Sequence, residues 1–279
     1  MPSIPYAIIQ SQVALALAED IGCGDLTAGL IPEDNYSTAH LISREAAVLC
    51  GIDWFTEVFQ QLDKSIKINW YCHDGDSLEN NQKVCRISGN ARQILSAERT
   101  AMNFLQTLSG TASSTALYVR QLKNSSVKLL DTRKTIPGLR TAQKYAVTCG
   151  GAYNHRHGLF DGVLIKENHI MAAGSITQAI TAARNQLPHT LKIEVEVETM
   201  QEVQEALSAG ADILLLDNMN NEQLAQAIKL NNKQAQLEVS GNITLQRLKE
   251  LSVLEIDYIS TGAITKHLQA IDFSLRFEQ

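Results

Sequence analysis

Several things are scarce in this chain of 279 residues, and each scarcity removes a class of function. No apolar run reaches the roughly eighteen residues that a membrane-crossing helix needs, so membrane binding is not expected. The opening Met1 to Gln12 lacks the charged-then-apolar layout of a signal peptide, which makes a cytoplasmic location the expectation. Net basic charge is missing too: 24 Lys and Arg against 30 Asp and Glu leave a formal charge of −6 and a pI near 5.7. Nucleic-acid binders usually present a net basic face, so that class is excluded. The five cysteines, Cys23, Cys50, Cys72, Cys85 and Cys149, show no CxxC spacing. Their odd number suits reduced thiols, and they read as small core or near-core residues. No stretch rich in Pro, Gly or Ser separates the two halves.

What is present is enough apolar residue, 44%, to bury a sizeable core. Ile8, Ile9, Val13 and Leu17 recur at helical spacing and predict a helix over Tyr6 to Asp20, followed by a tight turn from Gly22 to Thr27. Ala39 to Gly51 and Ile66 to Ile87 are β-like, with a helix over Asp53 to Leu62 between them. Asp74 and Asp76 flank a glycine, which is ordinary turn chemistry; a metal is the alternative. Asn90 to Lys123 is the longest helical stretch, and Gly110 with its small neighbours is expected to break it in two. Glu98-Arg99 on it reads first as a surface ion pair.

Beyond Ser126 apolar runs alternate with helical segments. The runs are Val127–Leu130, Val163–Ile165, Leu191–Val197, Ile213–Leu216, Leu237–Val239 and Tyr258–Ile259, with helices over Ser175–Gln186, Thr199–Ala209, Asn221–Leu230 and Thr244–Leu251. This is the pattern of βα units, which close into an α/β barrel with its site at the C-terminal ends of the strands. Six units rather than eight imply an incomplete barrel of parallel strands. The fold class is therefore α/β, with a first domain over 1–110, a barrel domain over 111–270, and a tail over 271–279 that returns to the first domain.

The strand ends divide by charge. Arg133, Lys134 and Lys166 close the first two, joined by His155 and Arg156 from the segment between. Glu196 and Asp217 mark the third and fourth; Ser240-Gly241-Asn242 and Ser260-Thr261-Gly262 end the last two and open helices. Guanidinium and ammonium groups suit an acid with more than one carboxylate. Glycines beside helix N-termini suit a phosphate. Carboxylates accept hydrogen bonds from sugar hydroxyls or hold magnesium directly or through water. Together they predict glycosyl or phosphoribosyl transfer. His155 and His157 have H-x-H spacing, but no further Cys or His cluster completes a zinc site.

The chain resembles the nicotinate-nucleotide pyrophosphorylase (carboxylating), or quinolinate phosphoribosyltransferase, family. The motifs that carry the likeness run in order over nearly its whole length: Glu19 to Thr27, Glu98 to Asn103, Asp131 to Thr135, Pro137 to Arg140, Asn154 to Arg156, Leu164 to His169, Glu194 to Glu196, Leu216 to Asn218, Ser240 to Ile243 and Ser260 to Ala263. The departures are small: Cys149-Gly150-Gly151 stands where a glycine-rich run is expected, and His157 and Phe160 occupy variable positions.

The resemblance implies an N-terminal α/β sandwich domain, an incomplete α/β barrel, and a homodimer or larger assembly. It also implies conversion of quinolinate and 5-phosphoribosyl-1-pyrophosphate, with Mg2+, to nicotinate mononucleotide, pyrophosphate and CO2, a step of de novo NAD synthesis. Arg133, Lys134, His155, Arg156 and Lys166 would bind quinolinate and phosphate groups, Glu196 and Asp217 the ribose and magnesium, and the Ser240–Asn242 and Ser260–Gly262 loops the 5′-phosphate. Lys134, Lys166, Glu196 and Asp217 would be the catalytic set, and Arg99 would reach into the neighbouring subunit's pocket. The rival readings are a molybdenum-locus paralogue of the same family, a Schiff-base aldolase using Lys134 or Lys166, and a non-catalytic metabolite-binding protein.

Overall fold

The structure is a computed structural model and describes residues 4–278. In chain order it contains α1 (Tyr6–Ile21), β1 (Tyr36–Ser43), β2 (Ala47–Val48), α2 (Ile52–Leu62), β3 (Lys67–Trp70), β4 (Ser77–Leu78), β5 (Lys83–Asn90) and the long α3 (Ala91–Arg120). There follow β6 (Lys128–Leu130), α4 (Arg140–Cys149), β7 (Val163–Ile165), α5 (Glu167–Ala173), α6 (Ile176–Gln186), β8 (Ile193–Val197) and α7 (Met200–Ser208). The chain ends with β9 (Ile213–Asp217), α8 (Asn221–Asn231), β10 (Gln236–Ser240), α9 (Leu245–Leu251), β11 (Tyr258–Ser260), α10 (Ala263–Lys266) and β12 (Phe273–Phe277). It forms two compact units, one from the described parts of Met1–Leu117, Thr135–Ala152 and Ile264–Gln279, the other from Tyr118–Lys134 and Tyr153–Ala263.

The first unit is built on an antiparallel sheet in the order β12-β1-β5-β3, with a small β2-β4 pair beside it. Alternation along β1 sends Ala39 and Leu41 inward, where both are fully buried, and Phe273 of β12 joins them. Trp54, Phe55, Val58 and Phe59 on α2 and Ile9 and Val13 on α1 fill the same core. At about 1.5–3 kcal/mol per fully buried large apolar side chain, this cluster is the main source of the unit's stability. Asp74 works as a cap, its Oδ1 accepting the N–H of Gly51 and Ile52 at 3.0 and 3.2 Å at the start of α2 and its Oδ2 accepting the Tyr145 hydroxyl at 2.9 Å. Cys23 is exposed and the other four cysteines are buried.

The expected break at Gly110 does not occur, because α3 runs unbroken for 30 residues. The glycine serves a close approach instead. A Cβ there would fall on the carbonyl oxygen of Gln269 and lie 3.0 Å from its carbonyl carbon. Tertiary packing overrides the local weakness of glycine in a helix.

The second unit is a parallel sheet in the order β6-β11-β10-β9-β8-β7. Each strand from β7 to β10 pairs with its successor, β6 closes onto β11, and β6 and β7 do not pair with each other, so the sheet is an incomplete barrel open between its first two strands. Tyr153 lines part of that opening: its N–H donates to Leu129 O at 2.9 Å and its carbonyl accepts the Asp131 N–H at 3.1 Å. Val195 and Val197 of β8, Leu214 and Leu216 of β9, Leu237 and Val239 of β10 and Ile259 of β11 are buried on the outer, helix-covered face. Ser175, Thr199, Asn220 and Thr244 cap α6, α7, α8 and α9 by accepting the backbone N–H of the third residue on, an arrangement typically worth ~1 kcal/mol each.

Candidate active site

Strand alternation decides what the barrel interior carries. With Ile193, Val195 and Val197 turned outward, Glu194 and Glu196 face inward; with Leu237 and Val239 outward, Glu238 and Ser240 do the same. Parallel register sets Glu194 beside Ile213, Glu196 beside Leu215, Glu238 beside Leu215 and Ser240 beside Asp217. By that register the polar side chains stand at three successive levels, Glu194 lowest beside Ile213, Glu196 and Glu238 beside Leu215, and Asp217 and Ser240 at the rim. A one-residue slip would bury Val or Leu in the pocket and expose every one of these groups, so the apolar outer face fixes the register.

All of the sequence-selected residues from Arg133 to Gly262 belong to this unit, whereas Arg99 lies exposed on α3 of the other unit. Lys166, half-buried at the end of β7, contacts Glu196 Oε2 of β8 directly. The Ser240 hydroxyl donates to Asp217 Oδ1 across β9 and β10, and Asn218 Nδ2 donates to Asp217 Oδ2 at 2.7 Å. Gly241 sits at φ +92°, where a Cβ would fall on the Asn218 side-chain oxygen and lie 2.8 Å from its backbone nitrogen. Only glycine fits, and Asn218 and Asn242 on either side also adopt left-handed φ values of 54° and 48°. Backbone N–H groups are thereby brought close to the rim. The Thr261 N–H donates to Leu130 O at 3.1 Å, which ties the Ser260–Gly262 loop to β6, and Thr261 Oγ1 accepts the Ala263 N–H at 3.1 Å.

The basic side is held by a residue that the sequence reading left without a role of its own. Asp131, fully buried at the end of β6, accepts the His155 N–H on Oδ1 at 2.8 Å and the Asn154 side-chain amide on Oδ2 at 2.7 Å. It fixes the segment that re-enters the unit after α4. Arg156 Nη1 donates to Gly162 O at 3.2 Å. Burial, and next the Arg133 guanidinium, lower the Arg156 pKa, which marks a concentration of positive charge that a ligand anion would relieve. Asp161 accepts the N–H groups of His157 and Gly158 at 2.7 and 2.9 Å and so shapes the loop that follows.

His157 is exposed, unlike the half-buried His155. The His155 Nε2 lies 3.1 Å from Glu194 and 3.6 Å from Glu238. Glu238 is the second residue that the sequence reading passed over. Its signal was the alternation Gln236-Leu237-Glu238-Val239-Ser240, which repeats the inward-facing carboxylate of β8. As magnesium holders, Glu196 and Asp217 supply hard oxygen donors on neighbouring strands. Lys166, Ser240 and Asn218 already occupy part of their lone-pair capacity, a donor set suited to holding a hydrated or substrate-borne cation rather than enclosing a bare ion. Lys166 is engaged by the Glu196 carboxylate, which disfavours its use as a Schiff-base nucleophile. Among the described residues no helix is long and apolar enough to cross a membrane.

Comparison with known proteins places the chain in a family. Residues 25–109 match the model of the quinolinate phosphoribosyl transferase N-terminal domain, and 111–276 match that of its C-terminal domain. The chain is 40% identical over 257 residues to the probable nicotinate-nucleotide pyrophosphorylase [carboxylating] of Bacillus subtilis (strain 168), covering 92% of this chain and 89% of that one. It is 38% identical over 275 residues to the corresponding probable enzyme of Synechocystis sp., covering 98% and 93%. The solved structure of the nicotinate-nucleotide pyrophosphorylase from Francisella tularensis superposes with a TM-score of 0.95 at 47% identity, over 99% of this chain and 98% of that chain. Both domain models match and together span nearly the whole chain, and the chain belongs to the quinolinate phosphoribosyl transferase family.

Proposed function

We propose that this protein transfers the phosphoribosyl group of 5-phosphoribosyl-1-pyrophosphate to quinolinate and decarboxylates the product, releasing nicotinate mononucleotide, pyrophosphate and CO2 in de novo NAD synthesis. The observation that carries the proposal is the division of one rim by charge. Arg133, Lys134, His155 and Arg156 stand on the side of β6 and the opening, while Asp217, Ser240 and Gly241 stand on β9 and β10, with Lys166–Glu196 between them. Arg133 and Arg156 suit the two carboxylates of quinolinate. The Ser240–Asn242 and Ser260–Gly262 loops suit the 5′-phosphate.

In the first step the pyridine nitrogen forms a bond to the anomeric carbon as the bond from that carbon to the pyrophosphate oxygen breaks, the electron pair leaving with pyrophosphate. Holding the two reactants in line accounts for much of the rate, since such positioning is worth roughly 7–11 kcal/mol. Glu196 and Asp217 stabilise the positive charge that develops on the ribose. The nitrogen, now quaternary, draws the electron pair of the adjacent carbon–carboxylate bond into the ring, CO2 departs, and a proton from water fills the ring carbon. Lys134 and Lys166 neutralise the anions throughout and form no covalent bond. Glu196 and Asp217 would hold magnesium directly or through water, where it would supply positive charge to the pyrophosphate leaving group.

Arg99 completes the pocket of a second copy of the chain, so the active species is a homodimer or a larger assembly, located in the cytoplasm. The test is release of CO2 from carboxyl-labelled quinolinate by the purified protein. Release that requires both phosphoribosyl pyrophosphate and magnesium, with one nicotinate mononucleotide formed per CO2, is the expected result. No nucleotide under those conditions would refute the reading and favour a metabolite-binding protein.

A further inference from the structure

Two features of the chain have no part in the chemistry of the rim: the Asp74 turn and the cysteine that ends α4. Both belong to the first unit. The backbone draws the turn against Cys50, since the Gly75 N–H donates to Leu49 O at 2.8 Å and the Leu49 N–H donates to Asp76 O at 2.9 Å. Cys50 is fully buried and is also held by Ser109 of α3, whose hydroxyl accepts the Cys50 N–H at 3.0 Å and donates to its carbonyl at 3.2 Å. Cys149, buried as well, comes from far along the sequence as the last residue of α4. The Sγ atoms of Cys50 and Cys149 and a carboxylate oxygen of Asp74 all lie within 4.8 Å of one another.

Two sulfurs and an oxygen converging from three separate segments are the donor set of a thiophilic cation. Zinc binds sulfur at about 2.3 Å and carboxylate oxygen at about 2.1 Å, so tetrahedral angles set its ligand atoms roughly 3.4–3.8 Å apart. Ligand atoms within 4.8 Å are a small side-chain rotation from that spacing. Sulfur ligands disfavour magnesium and calcium, which take oxygen. Asp74 is oriented in the way a ligating carboxylate needs: the Gly51 and Ile52 N–H groups hold Oδ1 at 3.0 and 3.2 Å, and the Tyr145 hydroxyl donates to Oδ2 at 2.9 Å. These three bonds leave lone-pair capacity for one more partner. They also share the residual negative charge that two thiolates and a carboxylate place around a divalent ion.

We propose that Cys50, Asp74 and Cys149 form a structural zinc site inside the first unit, from residues that the phosphoribosyl reaction does not use. Each cysteine gives its proton to solvent as the metal binds, and the fourth position falls to water or to the Tyr145 oxygen. The ion ties the residue before the α2 cap, the turn before β4 and the end of α4 to one point. Because the unfolded chain lacks that point, binding stabilises the fold.

Cobalt(II) in place of zinc reads the site without reference to turnover, since cobalt–thiolate bonds absorb in the near ultraviolet and tetrahedral cobalt absorbs strongly in the visible. The full chain, stripped of metal and kept reduced by a phosphine, is titrated with cobalt in excess magnesium, which keeps oxygen-only sites filled. The expected result is one cobalt per chain with both absorptions, and loss of both when zinc is added. Cys50→Ser and Cys149→Ser should each remove about half of the near-ultraviolet band, one thiolate of two, and weaken binding at least about tenfold. Cys23→Ser, at the exposed cysteine, and Cys72→Ser, at another buried one, should leave band and affinity unchanged. Zinc alone should raise the Tm of the wild type and leave that of Cys149→Ser unmoved. The proposal is overturned if the wild type shows no thiolate band at one equivalent, or if Cys23→Ser or Cys72→Ser removes as much of it as Cys149→Ser. Should both site variants fail to fold, zinc-edge X-ray absorption of the wild type decides. Two sulfurs at about 2.3 Å support the site, and scattering from light atoms alone refutes it.

Discussion

Replacing Arg156 with alanine tests the placement of the pocket most directly. The guanidinium is half-buried, makes one bond to Gly162 O at 3.2 Å, and stands close enough to Arg133 for repulsion to lower its pKa. An incoming carboxylate relieves that repulsion and accepts the rest of the donor fork. Losing one partner of a close charge pair typically costs 2–5 kcal/mol; partial exposure places this pair near the lower end, at about 2–3 kcal/mol, or on the order of 30- to 150-fold in Kd. Arg156→Lys keeps the charge and loses the two-pronged geometry, and is expected near tenfold, about 1.4 kcal/mol. Lys229→Ala, exposed on α8, is the control and should stay within about twofold, as a surface substitution. Calorimetric titration with quinolinate gives the Kd values, and circular dichroism shows whether each variant remains folded. Equal losses for Arg156→Ala and Lys229→Ala would mean that the basic cluster is not the acid site.

Three further outcomes are expected. Gly241→Ala places a Cβ on Asn218 at φ +92°, a strain of about 1–3 kcal/mol, and should raise the KM for phosphoribosyl pyrophosphate about tenfold or more with a smaller change for quinolinate; equal changes in the two would remove the loop from the phosphate site. Gly110→Ala drives a methyl into the Gln269 carbonyl and should cost about 1–3 kcal/mol in denaturant unfolding, although alanine is the better helix former; a stabilised variant would show that the close approach is not enforced. If the pocket is shared between subunits, inactive Arg99→Ala and Arg156→Ala proteins mixed and allowed to exchange should recover up to about a quarter of wild-type activity, since half of the random dimers carry one intact site. No recovery after demonstrated exchange would confine the site to one chain.

Much of the site was legible in the sequence because a parallel strand announces itself as a short apolar run and delivers its next residues to one rim. That logic selected Arg133, Lys134, Lys166, Glu196, Asp217, Ser240 and Ser260. Helix starts were legible for an equally local reason: Ser175, Thr199, Asn220 and Thr244 each cap a helix whose first apolar residues follow at once. Asp131 and Glu238 were harder to read, since each looks like an ordinary polar residue at or within a strand. Their roles depend on groups 24 and 83 residues away in the chain, the His155 amide for one and the His155 ring for the other.

By itself the sequence determined the alternation of strands and helices, the face on which each carboxylate lies and the charge carried by each strand end. Those follow from periods of 2 and 3.6 residues and from caps only three residues long. Tertiary structure alone decided that β6 closes onto β11 and leaves β7 at a free edge, that α3 passes unbroken through Gly110, and that one imidazole is shared by two buried glutamates. Each of these is a close approach between distant segments, where packing and desolvation outweigh local preference by enough to reverse it.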